Sequence, residues 1–191
     1  MKYVTLEYLE ATGTQYIDTG FKPNGNTRTV LSAYCTQLSS WIYGAWHAIN
    51  DTMYAANTQK AYSICYGSDI VSLDTVTEGA IEIDQNKGEY TYNGVSGTIA
   101  SSDFTCAYNV YLFAINAAGV VSSKRFYGRI HSCQIYDNGT LVRDFVPCRR
   151  EFDGKLGMLD LVSNKFFTNR GTGEFVAGEE VGSIEIKEGN A

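Results

Sequence analysis

Apolar and polar residues alternate along most of the chain with a period of two residues. This alternation is typical of β-strands, in which successive side chains point to opposite faces. Apolar residues at helical spacing are hard to find over any stretch long enough for a helix. The pattern predicts strands at residues 3–9, 14–19, 27–36, 40–47, 61–66, 80–84, 89–92, 109–116, 125–136, 140–148, 156–162 and 165–168.

Short segments rich in glycine and asparagine separate several of these strands. Asn86-Lys87-Gly88 and Asp137-Asn138-Gly139 each lie between two alternating runs, which is typical of tight β-hairpin turns. Ser163-Asn164 and Gly171-Thr172-Gly173 predict two further turns. Many short strands joined by such turns indicate an antiparallel sandwich or barrel.

One predicted strand breaks its own alternation. Its apolar residues are Ile130, Cys133 and Ile135, so the period of two slips by one residue between the first and the second. Such a slip would turn half of the strand's side chains to the wrong face unless one extra residue bulges out of the ladder. The pattern therefore predicts a β-bulge near His131-Ser132.

The chain has 191 residues, of which 44% are hydrophobic and 19% are charged. This size and composition predict one folded domain rather than a disordered chain. We place the domain at residues 1–178 and a solvated, acidic C-terminal tail at residues 179–191. The net charge of −6 is not accompanied by a basic stripe, which argues against nucleic acid as a partner.

The sequence predicts no contact with a membrane. No apolar run approaches the roughly 18 residues that a membrane-spanning helix needs. Near the first residue, Glu7 and Glu10 interrupt the stretch that a secretion signal would keep apolar. We therefore expect neither a transmembrane segment nor a signal peptide.

The five cysteines are Cys35, Cys65, Cys106, Cys133 and Cys148. An odd number cannot pair completely within the chain, and none of them forms the closely spaced pair that is typical of a zinc site. We interpret them as reduced thiols that act as small residues in or near the core. We expect no metal and no cofactor.

Residues 8–23 (YLEATGTQYIDTGFKP) and 126–178 resemble a known group of domains, most specifically over Gly128–Phe175. Residues 39–46 and 81–94 resemble the same group, in the same order. The group is the laminin G-like, concanavalin A-like jelly-roll domains found in tail and head appendages of phages and prophages of gut bacteria.

The resemblance implies an all-β, antiparallel two-sheet jelly-roll β-sandwich in a virion, made in the cytoplasm of the host. It also implies that the ligand is often a glycan, without indicating which sugar. Other virion proteins would then be partners. Phage appendages are usually symmetric oligomers, so a homo-oligomer fits the same picture.

Asp18-Thr19-Gly20 matches the active-site triplet of aspartic proteases. Such a site needs two of these loops, whose neighbouring carboxylates share one proton, and this chain has only one. We favour a structural role, in which Asp18 and Thr19 hydrogen-bond backbone groups and Gly20 permits the bend.

Glu82 and Asp84 lie two residues apart on one predicted strand, as paired carboxylates of a glycosidase would. They resemble the start of the motif of laminarinase-type hydrolases, but the second catalytic acid of that motif is missing. In the alternative interpretation, Ile81 and Ile83 face the core and the two acids face water. We therefore expect no catalytic residues and no enzyme, and a hydrolase remains the less favoured alternative.

A glycan-binding site requires fewer specific residues than a catalytic site. Sugars present apolar faces that lie on aromatic rings, while a few polar groups fix their orientation. Residues 41–66 are the densest aromatic stretch. In its first strand the alternation predicts Trp41, Tyr43 and His47 on one face, with Trp46 and Ile42 on the other.

Residues 48–60 (AINDTMYAANTQK) are predicted to form a polar loop at the rim of this region. The predicted ligand-binding residues are Asn50, Asp51, Tyr54 and Asn57 of this loop, with Trp41, Tyr43, His47 and Tyr62 beside it. We expect them to bind a cell-surface glycan of a bacterial host. Two alternatives stay open: each ring fills the core, or the domain is a structural virion decoration without a ligand site.

Overall fold

The computed structural model describes residues 1–48, 52–59, 61–75, 77–100 and 103–187. Within these ranges the regular secondary structure consists of β-strands, and no helix is present that could cross a membrane. In chain order the strands are β1 (Lys2–Leu6), β2 (Leu9–Thr12), β3 (Ile17–Asp18), β4 (Thr27–Gln37), β5 (Trp41–His47), β6 (Thr52–Thr58), β7 (Ala61–Gly67), β8 (Asp69–Thr75), β9 (Gly79–Asn86), β10 (Glu89–Tyr92), β11 (Val95–Thr98), β12 (Tyr111–Leu112), β13 (Asn116–Ala117), β14 (Val120–Val121), β15 (Tyr127–Asp137), β16 (Thr140–Arg150), β17 (Leu156–Asp160), β18 (Lys165–Thr168), β19 (Val176–Ala177) and β20 (Glu180–Glu185).

The described strands form two sheets, one of twelve strands and one of eight. The first sheet has the order β11-β10-β9-β4-β15-β16-β1-β20, and β2, β17, β18 and β19 pair beside this path. The second sheet has the order β14-β13-β5-β6-β7-β8, with β3 and β12 alongside β5. Neighbouring strands are antiparallel except for the pair of β13 with β5. The predicted all-β, antiparallel two-sheet sandwich is confirmed.

The core lies between the sheets and takes every second residue of the long strands β4, β9 and β15 over most of their length. In the first sheet, Leu31 pairs with Ile83 on one side and Cys133 on the other. In the second sheet, Tyr43 pairs with Leu112, and none of these five side chains is more than 3% exposed. Burial of such apolar surface from both sheets is the main stabilising term of the fold.

The bulge predicted in the strand with the broken alternation is confirmed. The register between β15 and β4 shifts between Ile130 and Ser132, which leaves His131 as the extra residue. Because of this insertion, Ile130 and Cys133 both face the core and are fully buried.

Three predicted hairpin turns are also confirmed. The β9–β10 turn has a positive φ of 57° at Lys87. The β15–β16 turn has positive φ at Asn138 (48°) and Gly139 (80°), which is the conformation that tight hairpins require. The β17–β18 turn has a positive φ of 57° at Asn164.

The alternation pattern missed several strands. β6, β8, β11 and β20 occupy residues that were predicted as loop or tail. Residues 180–185 of the predicted solvated, acidic tail are mostly exposed, but they form β20 and pair with β1 rather than a free end. Ile184 and Ile186 anchor this segment by packing beside Tyr3, while the last residues of the predicted tail lie outside the described ranges.

Candidate ligand-binding site

The segment predicted as a polar binding loop is mostly the strand β6, and its tyrosine is buried. Tyr54 has no exposed surface, and its hydroxyl donates a hydrogen bond to Thr29 Oγ1 of the first sheet at 2.9 Å. The predicted position of Tyr54 on an exposed loop at the rim is therefore wrong. Asn50 and Asp51 lie outside the described residues.

Tyr43 is a second predicted site residue that lies in the core. It is fully buried, and its hydroxyl donates to Gln85 Oε1 of the first sheet at 2.5 Å. Gln85 Nε2 in turn donates to the carbonyl oxygen of Cys65 at 2.8 Å. Burial raises the pKa of the Tyr43 hydroxyl well above its ordinary value. Tyr43 therefore links the two sheets and cannot reach a ligand.

Trp41 lies on the opposite face of β5 from Tyr43, because the pairing of β5 with β6 shifts between these two residues. Ile42 and Tyr43 both face the core as a result, so the prediction that Trp41, Tyr43 and His47 share one face is wrong. Trp41 instead joins an outer aromatic cluster on the second sheet, formed by Trp41, Trp46, Met53, Ala55, Cys65 and Ile115.

Asn57 lies beside this outer aromatic cluster. It pairs with Trp41 across the strands, is 6% exposed, and accepts a hydrogen bond from the backbone N–H of Gln59 at 3.1 Å. The predicted rim position of Asn57 is therefore wrong, because the residue is part of a sheet and its side chain is largely buried.

His47 lies at the far end of β5. Its ring packs edge-on against Tyr108, with ring centroids 5.6 Å apart. Its Nδ1 is buried and has no hydrogen-bonding partner among the described residues. His47 pairs with Thr52, whereas Tyr62 pairs with Thr58 at the opposite end of β6. The structure therefore does not bring His47 and Tyr62 into one site.

Tyr62 is the predicted site residue that lines a cleft. The cleft has a volume of about 360 Å³ and lies between the two sheets, where β7 and β8 of the second sheet face β10 and β11 of the first. We call it the edge cleft, because β8 and β11 are the last strands of their sheets. Its lining residues are Tyr62, Leu73, Thr77, Tyr90, Tyr92, Asn93 and Val95.

The β10–β11 hairpin positions one wall of the edge cleft. Its turn has positive φ at Asn93 (45°) and Gly94 (81°), as an Asn-Gly hairpin requires. The Asn93 amide accepts from Glu82 N at 2.7 Å and donates to Ala80 O at 3.0 Å, which fixes the hairpin to β9. The Asn-Gly pair is a sequence signal that predicts β11 and that the alternation pattern overlooked.

Tyr90 lies over a glycine on the neighbouring strand. Gly97 pairs with Tyr90, and a Cβ at Gly97 would lie 2.2 Å from the Tyr90 Oη. Only a residue without a side chain leaves room for the ring in this position. The pairing of Tyr90 with Gly97 therefore shapes the wall of the edge cleft.

The lining of the edge cleft is aromatic and uncharged. The rings of Tyr62 and Tyr92 are 4.8 Å apart, and the Tyr62 hydroxyl donates to the carbonyl oxygen of Thr77. Burial raises the pKa of Tyr62 against the opposing effect of hydrogen bonds with Tyr92 and Thr77, so the hydroxyl stays protonated at neutral pH. None of the seven lining residues is Asp, Glu, Lys, Arg or His.

The carboxylates of Glu82 and Asp84 face away from the core, as expected, while Ile81 and Ile83 are buried. Asp84 binds Arg28 through two hydrogen bonds of 2.8 and 2.6 Å. Glu82 accepts a hydrogen bond from Ser32 Oγ at 2.6 Å.

Asp18-Thr19-Gly20 forms the predicted structural turn. Asp18 Oδ1 accepts from Gly20 N at 2.9 Å, and Thr19 Oγ1 donates to the Val110 carbonyl oxygen at 2.7 Å. Gly20 has a positive φ of 66°. The hydrogen bonds and the bend are those expected for a turn that closes β3.

All five cysteines are buried free thiols. Burial raises the pKa of Cys65 and of Cys148 to about 12, so neither forms a reactive thiolate at neutral pH. Among the described residues, no group of three or more His, Cys, Asp or Glu side chains is arranged to hold a metal ion.

No model of a known protein family matches the chain, and no curated protein matches it. The chemistry of the edge cleft and of the outer aromatic cluster is therefore the basis for assigning a function.

Proposed function

We propose that this chain is a non-enzymatic carbohydrate-binding domain of a phage or prophage virion appendage, and that the edge cleft holds a sugar of the host cell surface. The observation that supports the proposal is the lining, in which three tyrosines and two aliphatic side chains surround about 360 Å³. This volume lies within the roughly 300–1,000 Å³ typical of small-molecule sites. Aromatic rings stack on the apolar faces of sugars, and hydroxyl groups at the rim orient them.

The virion setting rests on the resemblance of residues 8–23 and 126–178 to domains of phage appendages. We also propose that the strands are connected in the jelly-roll order, which the same resemblance implies. A glycan of a bacterial host is the ligand that such an appendage would meet first.

Replacing Tyr90 with alanine tests the placement of the sugar. Tyr90 is a half-buried ring in the lining, and its removal should weaken glycan binding by about tenfold, the value of one aromatic stacking contact. Binding is measured on an array of bacterial surface glycans and then by calorimetry on the glycans that bind.

The matched control is Tyr34→Ala. Tyr34 is 40% exposed on the outer face of the first sheet and does not line the edge cleft, so the same chemical change removes a ring outside the cleft. This variant should bind as the parent protein does. Equal loss in both variants, or full binding by Tyr90→Ala, would contradict a sugar in the edge cleft.

A second candidate function is a structural decoration protein, and the outer aromatic cluster favours it. Trp41, Trp46 and Met53 remain partly exposed on a sheet face, and Ile70 on the same face is 61% exposed. Such an apolar face suits contact with other virion proteins or with a second copy.

Light scattering on the chain and on Trp46→Ser distinguishes the two functions. An oligomer that dissociates in the variant and binds no glycan favours decoration.

A further inference from the structure

We propose that the edge cleft selects uncharged sugars that carry an apolar substituent, of which 6-deoxyhexoses are the simplest class. This inference rests on the proposed function, because it names the ligand class of the same cleft. Three features of the lining lead to it: the absence of charge, the prior use of its polar groups, and two aliphatic side chains.

The absence of charge disfavours acidic sugars. None of the described lining residues carries a charge, so a carboxylate that entered the edge cleft would lose its water without meeting a cation among them. The chain as a whole has a net charge of −6, which adds a weak repulsion of anions. Uronic acids and sialic acids are therefore poor ligands for this site.

Two polar side chains of the lining already hydrogen-bond the protein. The Asn93 amide donates to Ala80 O and accepts from Glu82 N, and the Tyr62 hydroxyl donates its proton to Thr77 O. A sugar hydroxyl that is buried without a partner lowers the affinity, because its hydrogen bonds to water are not replaced. A ligand with fewer hydroxyl groups avoids this cost.

Leu73 and Val95 offer aliphatic surface beside the rings. Leu73 is half-buried on β8, and Val95 is 68% exposed on β11, so each of the two edge strands contributes one aliphatic side chain to the lining. A methyl group that replaces a hydroxymethyl group keeps the same carbon against this surface but removes a hydroxyl group that would lose its hydrogen bonds to water, which raises affinity by about fivefold. This is the substitution that converts a hexose into a 6-deoxyhexose.

The test is a series of methyl glycosides that differ only at carbon 6. For each of the gluco, galacto and manno configurations, calorimetry on the full chain compares the 6-deoxy sugar, the parent hexose and the uronate. We expect the 6-deoxy member to bind about fivefold more tightly than the parent in at least one configuration. The uronate should show no measurable binding.

A variant that introduces a positive charge probes the same site. Val95→Lys places an ammonium group at the mouth of the edge cleft and should make binding of the uronate measurable. The matched control is Val181→Lys, because Val181 is 64% exposed on β20, another edge strand of the first sheet. Val181→Lys should leave the order of affinities of the 6-deoxy sugar, the parent hexose and the uronate unchanged.

The outcomes separate this inference from the proposed function. Uronates that bind as tightly as 6-deoxy sugars, or a response to Val181→Lys equal to that of Val95→Lys, overturn the selection of uncharged sugars. The selection of uncharged sugars is also overturned if larger glycans of the array bind but none of the methyl glycosides does. If neither the series nor any glycan of the array binds, the proposed function itself fails.

Discussion

Two groups of tyrosines lie between the sheets. The hydroxyl groups of one group hydrogen-bond across the sandwich, whereas the rings of the other group line the edge cleft. The core tyrosines are Tyr43, Tyr54 and Tyr66, which are fully buried. The cleft tyrosines are Tyr62, Tyr90 and Tyr92, of which Tyr62 and Tyr92 are only 5% and 8% exposed and belong to the same hydrophobic cluster. Each core tyrosine reaches from the second sheet to a partner across the sandwich: Gln85 Oε1, Thr29 Oγ1 or the Gly25 carbonyl oxygen. The cleft tyrosines come from both sheets and surround a space that opens to solvent.

The comparison shows that one residue type serves two purposes according to what lies opposite. In the middle of the sandwich a polar acceptor from the facing sheet satisfies the hydroxyl, so the ring can be buried completely. At the margin the edge strands β8 and β11 leave the edge cleft between the two sheets, and the tyrosine rings line it. The core and cleft tyrosines therefore differ in their place between the sheets rather than in their sequence context.

Truncation of a core tyrosine should have the largest effect. Tyr54 packs among Tyr43, Tyr66 and Phe104 at ring separations of 6.2–6.4 Å, so Tyr54→Ala leaves a cavity inside the sandwich. We expect the free energy of unfolding to fall by about 3–5 kcal/mol, measured by urea denaturation. Tyr34→Ala, at the exposed surface, should change it by about 0.5 kcal/mol. Similar losses in the two variants would remove the distinction between core and surface rings.

Removal of a single hydroxyl group sharpens the comparison. Tyr43→Phe leaves the carbonyl oxygen of the fully buried Gln85 side chain without its donor, which should cost about 1–3 kcal/mol of unfolding free energy. Tyr62→Phe should cost about 0.5 kcal/mol, because its acceptor belongs to the exposed Thr77 and water can replace the hydrogen bond. Denaturation of both variants measures the difference. Equal costs would show that the cleft tyrosine is as structural as the core tyrosine.

Much of the fold was accessible from the sequence, because alternation and turn residues are local signals. The bulge at His131 was visible as a slip in the apolar period. β6 was not visible, because Asn57 and Thr58 are polar residues that the sheet buries, and such residues are typical of loops. The burial of Thr58 depends on Ser40, which lies 18 residues away in the chain.

The site was harder to predict than the fold. The face on which Trp41 lies depends on a register shift within β5 that leaves no mark in the apolar pattern. The edge cleft depends on β8 and β11, which were both missed and which meet only after the two sheets assemble. Tyr62 was selected as an aromatic residue, but the structure shows that its neighbours in the cleft come from residues 73–95 rather than from the predicted loop.

A smaller change at the wall of the edge cleft should affect binding more than stability. Gly97→Ala adds a Cβ where the Tyr90 hydroxyl now lies, so the ring must move. We expect the unfolding free energy to fall by about 1 kcal/mol through local overpacking. Affinity for the best glycan should fall by about tenfold, as expected when a stacking contact is lost. Ser96→Ala, an exposed neighbour on the same strand, is the control, and equal effects of the two variants would contradict this role of the glycine.

The smallest expected effect is that of pH. Among the residues that the structure describes, no charged side chain lines the edge cleft, and burial raises the pKa of Tyr62 above its ordinary value of 10, so its hydroxyl stays protonated from pH 5 to pH 9. Glycan affinity should therefore change by less than about twofold over this range. Burial also raises the pKa of the Tyr43 hydroxyl, which is neutral in both the folded and the unfolded chain well below pH 10. As the pH rises past 10, the unfolded chain loses this proton more readily than the folded chain, so the contribution of Tyr43 to stability begins to fall. Calorimetry at each pH, with circular dichroism to monitor folding, measures this. A transition in affinity between pH 5 and pH 9 with an unchanged spectrum would reveal a charged group at the site and contradict the uncharged cleft.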